Sequence, residues 1–308
     1  MTTKPVSALQ YYDAFEQALS ALTKLRGEYR RHFGSSKKPP PAGYCWFKGV
    51  VSPDRHPDYA EWACDAAAEL ETQFLSPLAR LEPRSVLDVG CGNGALLRRL
   101  ASERRDLRLC GVNFQPAQVR VARELLRGTQ AEIIEADFFV HKFQARFDLV
   151  CLVESAFHMP DKAELCRRIA DVLAPGGEVW LLDILVGERA ANVFDGLGRD
   201  QTLFNYIPRK DWLSHFGAHG IVETELLDLS SSVADFLQVS DVKVLRDQYL
   251  LPRMTSTFCE ASALVTAEPE PSSSLELMVR IAVEYRRLSR LLRAGMLQYV
   301  LMRYRRGA

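Results

Sequence analysis

Ser85-Val86-Leu87-Asp88-Val89-Gly90-Cys91-Gly92-Asn93-Gly94 decides the fold. Its first five residues are mostly apolar around one carboxylate, the composition of a strand buried on both faces of a parallel sheet. Glycines follow at 90, 92 and 94, and a helical pattern begins over Ala95 to Leu100. Lacking a Cβ, glycine allows positive φ and lets a ligand touch the main chain just ahead of a helix N-terminus. Strand, glycine turn and helix in this order predict a site for a nucleotide-like cofactor.

Two cofactor classes fit such a turn. Gly90, Gly92 and Ala95 satisfy the relaxed dinucleotide pattern G-x-G-x-x-G/A, a weak signal by itself. That fingerprint usually carries an acid about twenty positions on, to hold a ribose hydroxyl. Here the second apolar run, Leu107 to Val112, ends instead in Asn113. Asp88, two residues before Gly90, would repel a pyrophosphate but meet the cationic amino-acid end of S-adenosylmethionine.

Further motifs continue in register. GVNFQPAQV spans Gly111 to Val119, EADF Glu135 to Phe138, FDLVCLVESAFHM Phe147 to Met159, and LAPGGEVWLLDIL Leu173 to Leu185. With VLDVGCGNG, these resemble the class I S-adenosylmethionine-dependent methyltransferases, in the branch acting on small natural-product or sterol-like molecules. The resemblance covers Gly43 to Leu185 well and the rest loosely. It implies an α/β, Rossmann-like sheet, mostly parallel with an antiparallel last strand, and a helical cap. It also implies that Asp88 receives the cofactor's ammonium, Gly90 and Gly92 admit its methionyl end, and Asn113 with Gln115 addresses the ribose. Asp137 and the Phe138 amide would meet the adenine. Asn113 departs from the acid common at that position, although an amide can still donate and accept. Cys91 would lie beside the cofactor or simply fill the loop. Tyr44 and Trp46 resemble the aromatic cover preceding the core in small-molecule members; ordinary packing explains them equally well.

Composition is that of an ordinary globular chain. Of 308 residues, 47% are hydrophobic and 25% charged, with Lys plus Arg and Asp plus Glu at 39 each. No global positive field points to nucleic acid or an anionic membrane, so a small-molecule acceptor is the expected partner. The sequence carries neither a signal-peptide pattern nor an apolar run long enough to span a bilayer. Seven cysteines without a C-x-x-C pair suggest reduced thiols and a cytoplasmic protein. No metal set is expected. His215 and His219, four apart, have no third ligand nearby, and magnesium would enter only with a diphosphate acceptor.

Around the glycine turn, strands are expected near 85–89, 107–113, 131–135, 147–153 and 177–185, with helices near 94–104, 116–127 and 161–173. Such alternation calls for a sheet covered on both faces, with ligands at the strand carboxyl ends. One domain is expected, divided into an N-terminal helical cap (1–79), a cofactor-binding core (80–228), a lid insertion (229–296) and a last strand with tail (297–308). The cap would hold helices over Val6 to Arg26 and Asp58 to Ala79, and the lid an amphipathic helix over Leu275 to Arg293. Pro208 to His219 reads as a helix, Ile221 to Leu227 as a strand, and Leu297 to Arg303 as the last strand. The oligomeric state is not legible.

The chemistry concentrates in Glu154-Ser155-Ala156-Phe157-His158-Met159. An unperturbed histidine titrates near pH ~6.5, so a neutral His158 could take a hydroxyl's proton as a methyl group arrives. Asp183 resembles the acid accompanying this histidine in O-methylating relatives and would orient it, unless it only caps a strand. A rival chemistry methylates an isoprenoid diphosphate alkene. Glu154 would then remove a proton from the carbocation, with aromatic faces such as Phe157 stabilising the charge. A third reading, from another class, is a scaffold that binds the cofactor without catalysis.

Overall fold

Each apolar run read as a strand pairs within one sheet. The computed structural model describes residues 32–51, 53–190, 205–239 and 274–307, with the backbone alone for Val51 and residues 274–280. The strands are β1 (Ser85–Val89), β2 (Arg108–Asn113), β3 (Glu132–Glu135), β4 (Phe147–Val153), β5 (Leu173–Val186), β6 (Ile221–Asp228) and β7 (Leu297–Arg306). Their order is β3-β2-β1-β4-β5-β7-β6. The first five strands run parallel, and β7 is antiparallel to both β5 and β6, as the sequence led us to expect. β1 lies between β2 and β4, where the strand order reverses, and a crevice opens at the carboxyl ends of such a switch point.

Alternation along β1 sends neighbouring side chains to opposite faces. Val86 joins one apolar cluster and Leu87 the other. The first cluster is covered by α1 (Trp46–Val51), α2 (Pro57–Leu75), α3 (Leu78–Leu81), α4 (Ala95–Glu103), α5 (Pro116–Leu125), α8 (Ser230–Phe236) and α9 (Ser274–Arg293). The second is covered by α6 (Lys162–Val172) and α7 (Arg209–Gly217). Local chemistry sets several helix starts. Pro116 stands in the first turn of α5, where its missing N–H costs nothing. Asp161 caps α6 by accepting the Glu164 N–H at 2.9 Å, a contact worth about 1 kcal/mol.

Two expected elements take places the sequence did not indicate. The 58–79 helix is divided into α2 and α3, and α2 lies on the sheet face, its Phe74 meeting Trp180 edge-on at 5.8 Å. α9, read as a lid, buries Ile281, Ala282, Tyr285 and Leu292 in the first cluster and leaves Arg287 and Arg290 exposed. The amphipathic pattern was legible, but the partner that its apolar side meets was not. The helix expected over Val6 to Arg26 lies outside the described residues.

Candidate active site

Four strand ends converge on one cavity of ≈ 510 Å³. β1 brings Asp88, Gly90, Cys91 and Gly92; β2 brings Asn113 and Gln115; the turn after β3 brings Asp137 and Phe138; β4 brings Glu154 and His158. These are ten of the sequence-predicted residues, brought together from 71 positions of chain.

The glycine turn divides two tasks. Gly90 has φ +74°, and a Cβ built there would stand 2.5 Å from Ser155 Cβ, so the chain itself fills that space. Ser155 cannot retreat, because its hydroxyl donates to the Val89 carbonyl at 2.6 Å. Gly92 has φ +52°, and a Cβ there would meet nothing within 4 Å. That position borders open cavity, leaving room for a ligand against the main chain. Burial pushes the Cys91 thiol well above its usual range, so Cys91 remains a neutral lining group rather than a nucleophile.

Asp88 is 2% exposed. Burial, with Glu71 adding negative charge from α2, raises its pKa from 3.8 to about 7. No hydrogen bond among the described residues ends on its carboxylate. A buried acid in this state favours the arrival of a cation. Asn113 is also buried; its amide donates to Gln118 Oε1 at 2.8 Å and to the Gly92 carbonyl at 3.5 Å. It thus ties β2's end to both the glycine turn and α5. Asp137 accepts the Phe139 N–H at 2.8 Å, which holds the turn after β3 and leaves the carboxylate exposed beside the buried Phe138. A buried anion at β1, amides at β2, a shaped turn at β3 and the space at Gly92 together fit S-adenosylmethionine, from ammonium to adenine. They do not suit a pyrophosphate, which would face Asp88.

Glu154, also in the lining, takes φ +51°, uncommon for a side chain of this kind. Its Oε1 accepts the Phe33 N–H at 2.6 Å and the Tyr299 hydroxyl at 2.7 Å. Burial raises its pKa from 4.5 to about 8, although these two donors pull the other way. His158 ends a short 3-10 turn, Ala156–His158, and its ring lies 4.2 Å from that of Phe157, centroid to centroid.

Three predicted residues are elsewhere. Tyr44 donates to the Phe236 carbonyl at 3.0 Å and packs on Trp62 at 4.7 Å. Trp46 packs on Tyr285 at 4.5 Å. Both belong to the core under α9 and neither lines the cavity. Asp183 is 1% exposed and does not line the cavity; its Oδ1 accepts the Ile184 N–H at 2.7 Å.

The structure adds His32 and Gln118 to the cavity lining, and Tyr299 as Glu154's partner. Gln118 was findable, being five residues past Asn113 in the first turn of α5. His32 stands in no motif, and the cross-sheet reach of Tyr299 depends on register.

A methyltransferase-domain family model matches residues 86–177. The polyketide synthase ThaQ of Burkholderia thailandensis is 32% identical over 202 residues, which are 63% of this chain and 9% of that protein. The chloroplastic tocopherol O-methyltransferase of Arabidopsis thaliana is 30% identical over 168 residues, 50% of this chain and 48% of that protein. The chain therefore spans about half the length of the second and under a tenth of the first. Among solved structures, the O-methyltransferase of a trans-AT polyketide synthase multienzyme of Brevibacillus brevis, in complex with S-adenosyl-L-homocysteine, superposes with a TM-score of 0.71 at 19% identity. The match covers 91% of this chain and 85% of that one, and shows a shared fold.

Proposed function

From the match of residues 86–177 to a methyltransferase-domain model and the likeness to O-methyltransferases, we propose that the chain is a class I S-adenosylmethionine-dependent methyltransferase of the small-molecule branch and methylates a hydroxyl of a small natural product, with His158 as general base. The observation that carries this reading is that His158 lines the same cavity as Asp88 and the glycine turn. Asp88 would hold the cofactor's ammonium, Gly90 and Gly92 its methionyl end, Asn113 and Gln115 its ribose, and Asp137 with Phe138 its adenine. Once bound, the cofactor supplies a sulfonium whose methyl group is already electrophilic. What remains for the chain is to align the acceptor, exclude water and remove its proton. Alignment by a shaped cavity accounts for a large part of such rate enhancements, and a positioned base for about 10²–10⁴-fold.

The tocopherol O-methyltransferase among the relatives favours oxygen as the methylated atom. Glu154 is less suited to take a carbocation's proton, because its Oε1 already accepts from Phe33 and Tyr299 and burial favours its protonated form. We expect His158→Ala to lose about 10²–10⁴-fold in turnover while keeping its affinity for S-adenosylhomocysteine, and Glu154→Gln to lose less. Measuring both variants in one assay separates the two chemistries. A crippled Glu154→Gln beside an active His158→Ala would replace this reading with alkene methylation.

A further inference from the structure

A lysine buried in the first turn of a helix is doubly unfavourable. Burial removes water from its ammonium, and the helix N-terminus already carries partial positive charge. Lys162 opens α6 in this way and is 4% exposed. Its Nζ donates to the Met159 carbonyl at 2.5 Å, one residue beyond His158. Asp183, reaching in from β5, supplies opposite charge. Its Oδ2 is buried without a hydrogen-bond partner among the described residues, and it acts on Lys162 through space rather than by a direct ion pair. Asp161 at the helix cap also favours the charged ammonium.

The loop that Lys162 grips is fastened at other points. Ser155 binds β1 through Val89, while the Asn205 N–H donates to the Phe157 carbonyl at 2.7 Å and the Asn205 amide to that of Pro160 at 2.5 Å. Lys162 alone among these anchors brings a charge, and it is not among the residues that line the cavity.

We infer that Lys162 is a positioning residue for His158, holding the 155–160 loop through the Met159 carbonyl, with Asp183 as its buried counter-charge. Asp183 then serves the imidazole indirectly, through Lys162 and the loop, rather than by touching the ring. The functional meaning rests on His158 being the base, whereas the positioning itself does not.

The test follows the His158 imidazole by NMR in the full chain saturated with S-adenosylhomocysteine. Resonances are assigned by their loss in His158→Ala. Lys162→Met, which keeps length and removes charge and donor, should shift or split the His158 signal and change its titration midpoint. Lys162→Arg, which keeps both, should restore a single signal near the wild-type position. Affinity for S-adenosylhomocysteine should stay within about twofold in both variants, because Lys162 does not line the cavity. Should Lys162→Met fail to fold, Asp183→Asn is read in the same way, with the same change in the His158 signal expected. Turnover should fall on the order of 10- to 100-fold in Lys162→Met, the scale expected of a slightly misplaced group. An unmoved His158 signal in Lys162→Met, or in Asp183→Asn where that variant stands in, overturns the inference and leaves methyl transfer untouched. Full turnover in His158→Ala overturns the base assignment and leaves the positioning result standing.

Discussion

Burial lets Asp88 hold a proton below about pH 7, which an arriving cation would displace. With its pKa at about 7 rather than 3.8, it is mostly neutral below pH 7, whereas an ammonium beside it favours the carboxylate. Binding below that pH therefore releases a proton, and affinity falls as pH falls. We predict that S-adenosylhomocysteine binds about tenfold more weakly for each pH unit below 7 and levels off above it. Calorimetry in buffers of different ionisation enthalpy reads the released proton directly. Asp88→Asn should bind weakly at pH 8 and lose the slope. For stability the sign is opposite to that of an ordinary ion-paired acid. Between about pH 4 and pH 7 the folded state holds a proton that the unfolded chain has lost, so the free protein becomes less stable as pH rises. Glu154, raised to about 8, contributes in the same direction.

The turn between β1 and α4 separates what the fold needs from what the ligand needs. Gly90→Ala must place a methyl group 2.5 Å from Ser155 Cβ at φ +74°, so it should lower the melting temperature markedly. Gly92→Ala has open space and bears only the left-handed backbone cost of about 1–2 kcal/mol. Its larger effect should be weakened S-adenosylhomocysteine binding, and the two losses are separable by thermal melts and calorimetry. Strands and helices here were legible because burial on both faces makes β1, β4 and β5 predominantly apolar, while α4, α5 and α6 keep a 3.6-residue period. Placement was less legible. The pattern of α9 predicts an apolar side but not whether it meets solvent-facing substrate or, as happens, Phe33 and Trp46 beneath it.

Across the whole molecule, the cavity is assembled from strand ends that parallel crossovers bring to one edge. The motif residues Asp88, Asn113, Asp137, Glu154 and His158 were therefore legible as a set. Residues that support them across the sheet were not, since the bond from Tyr299 to Glu154 depends on how β7 returns antiparallel beside β5. Because the cavity joins four strand ends, ligand binding should stabilise the fold globally. At a concentration 100 times its dissociation constant, S-adenosylhomocysteine should add about 2.7 kcal/mol, seen as a raised melting temperature that Asp88→Asn abolishes. The most direct measurement is mass spectrometry of a hydroxylated small-molecule extract incubated with the protein and S-adenosylmethionine labelled in its methyl group. We predict a labelled methyl on an oxygen of one small molecule, absent with His158→Ala. Tight cofactor binding with no labelled product, or a label that persists undiminished in His158→Ala, would contradict it.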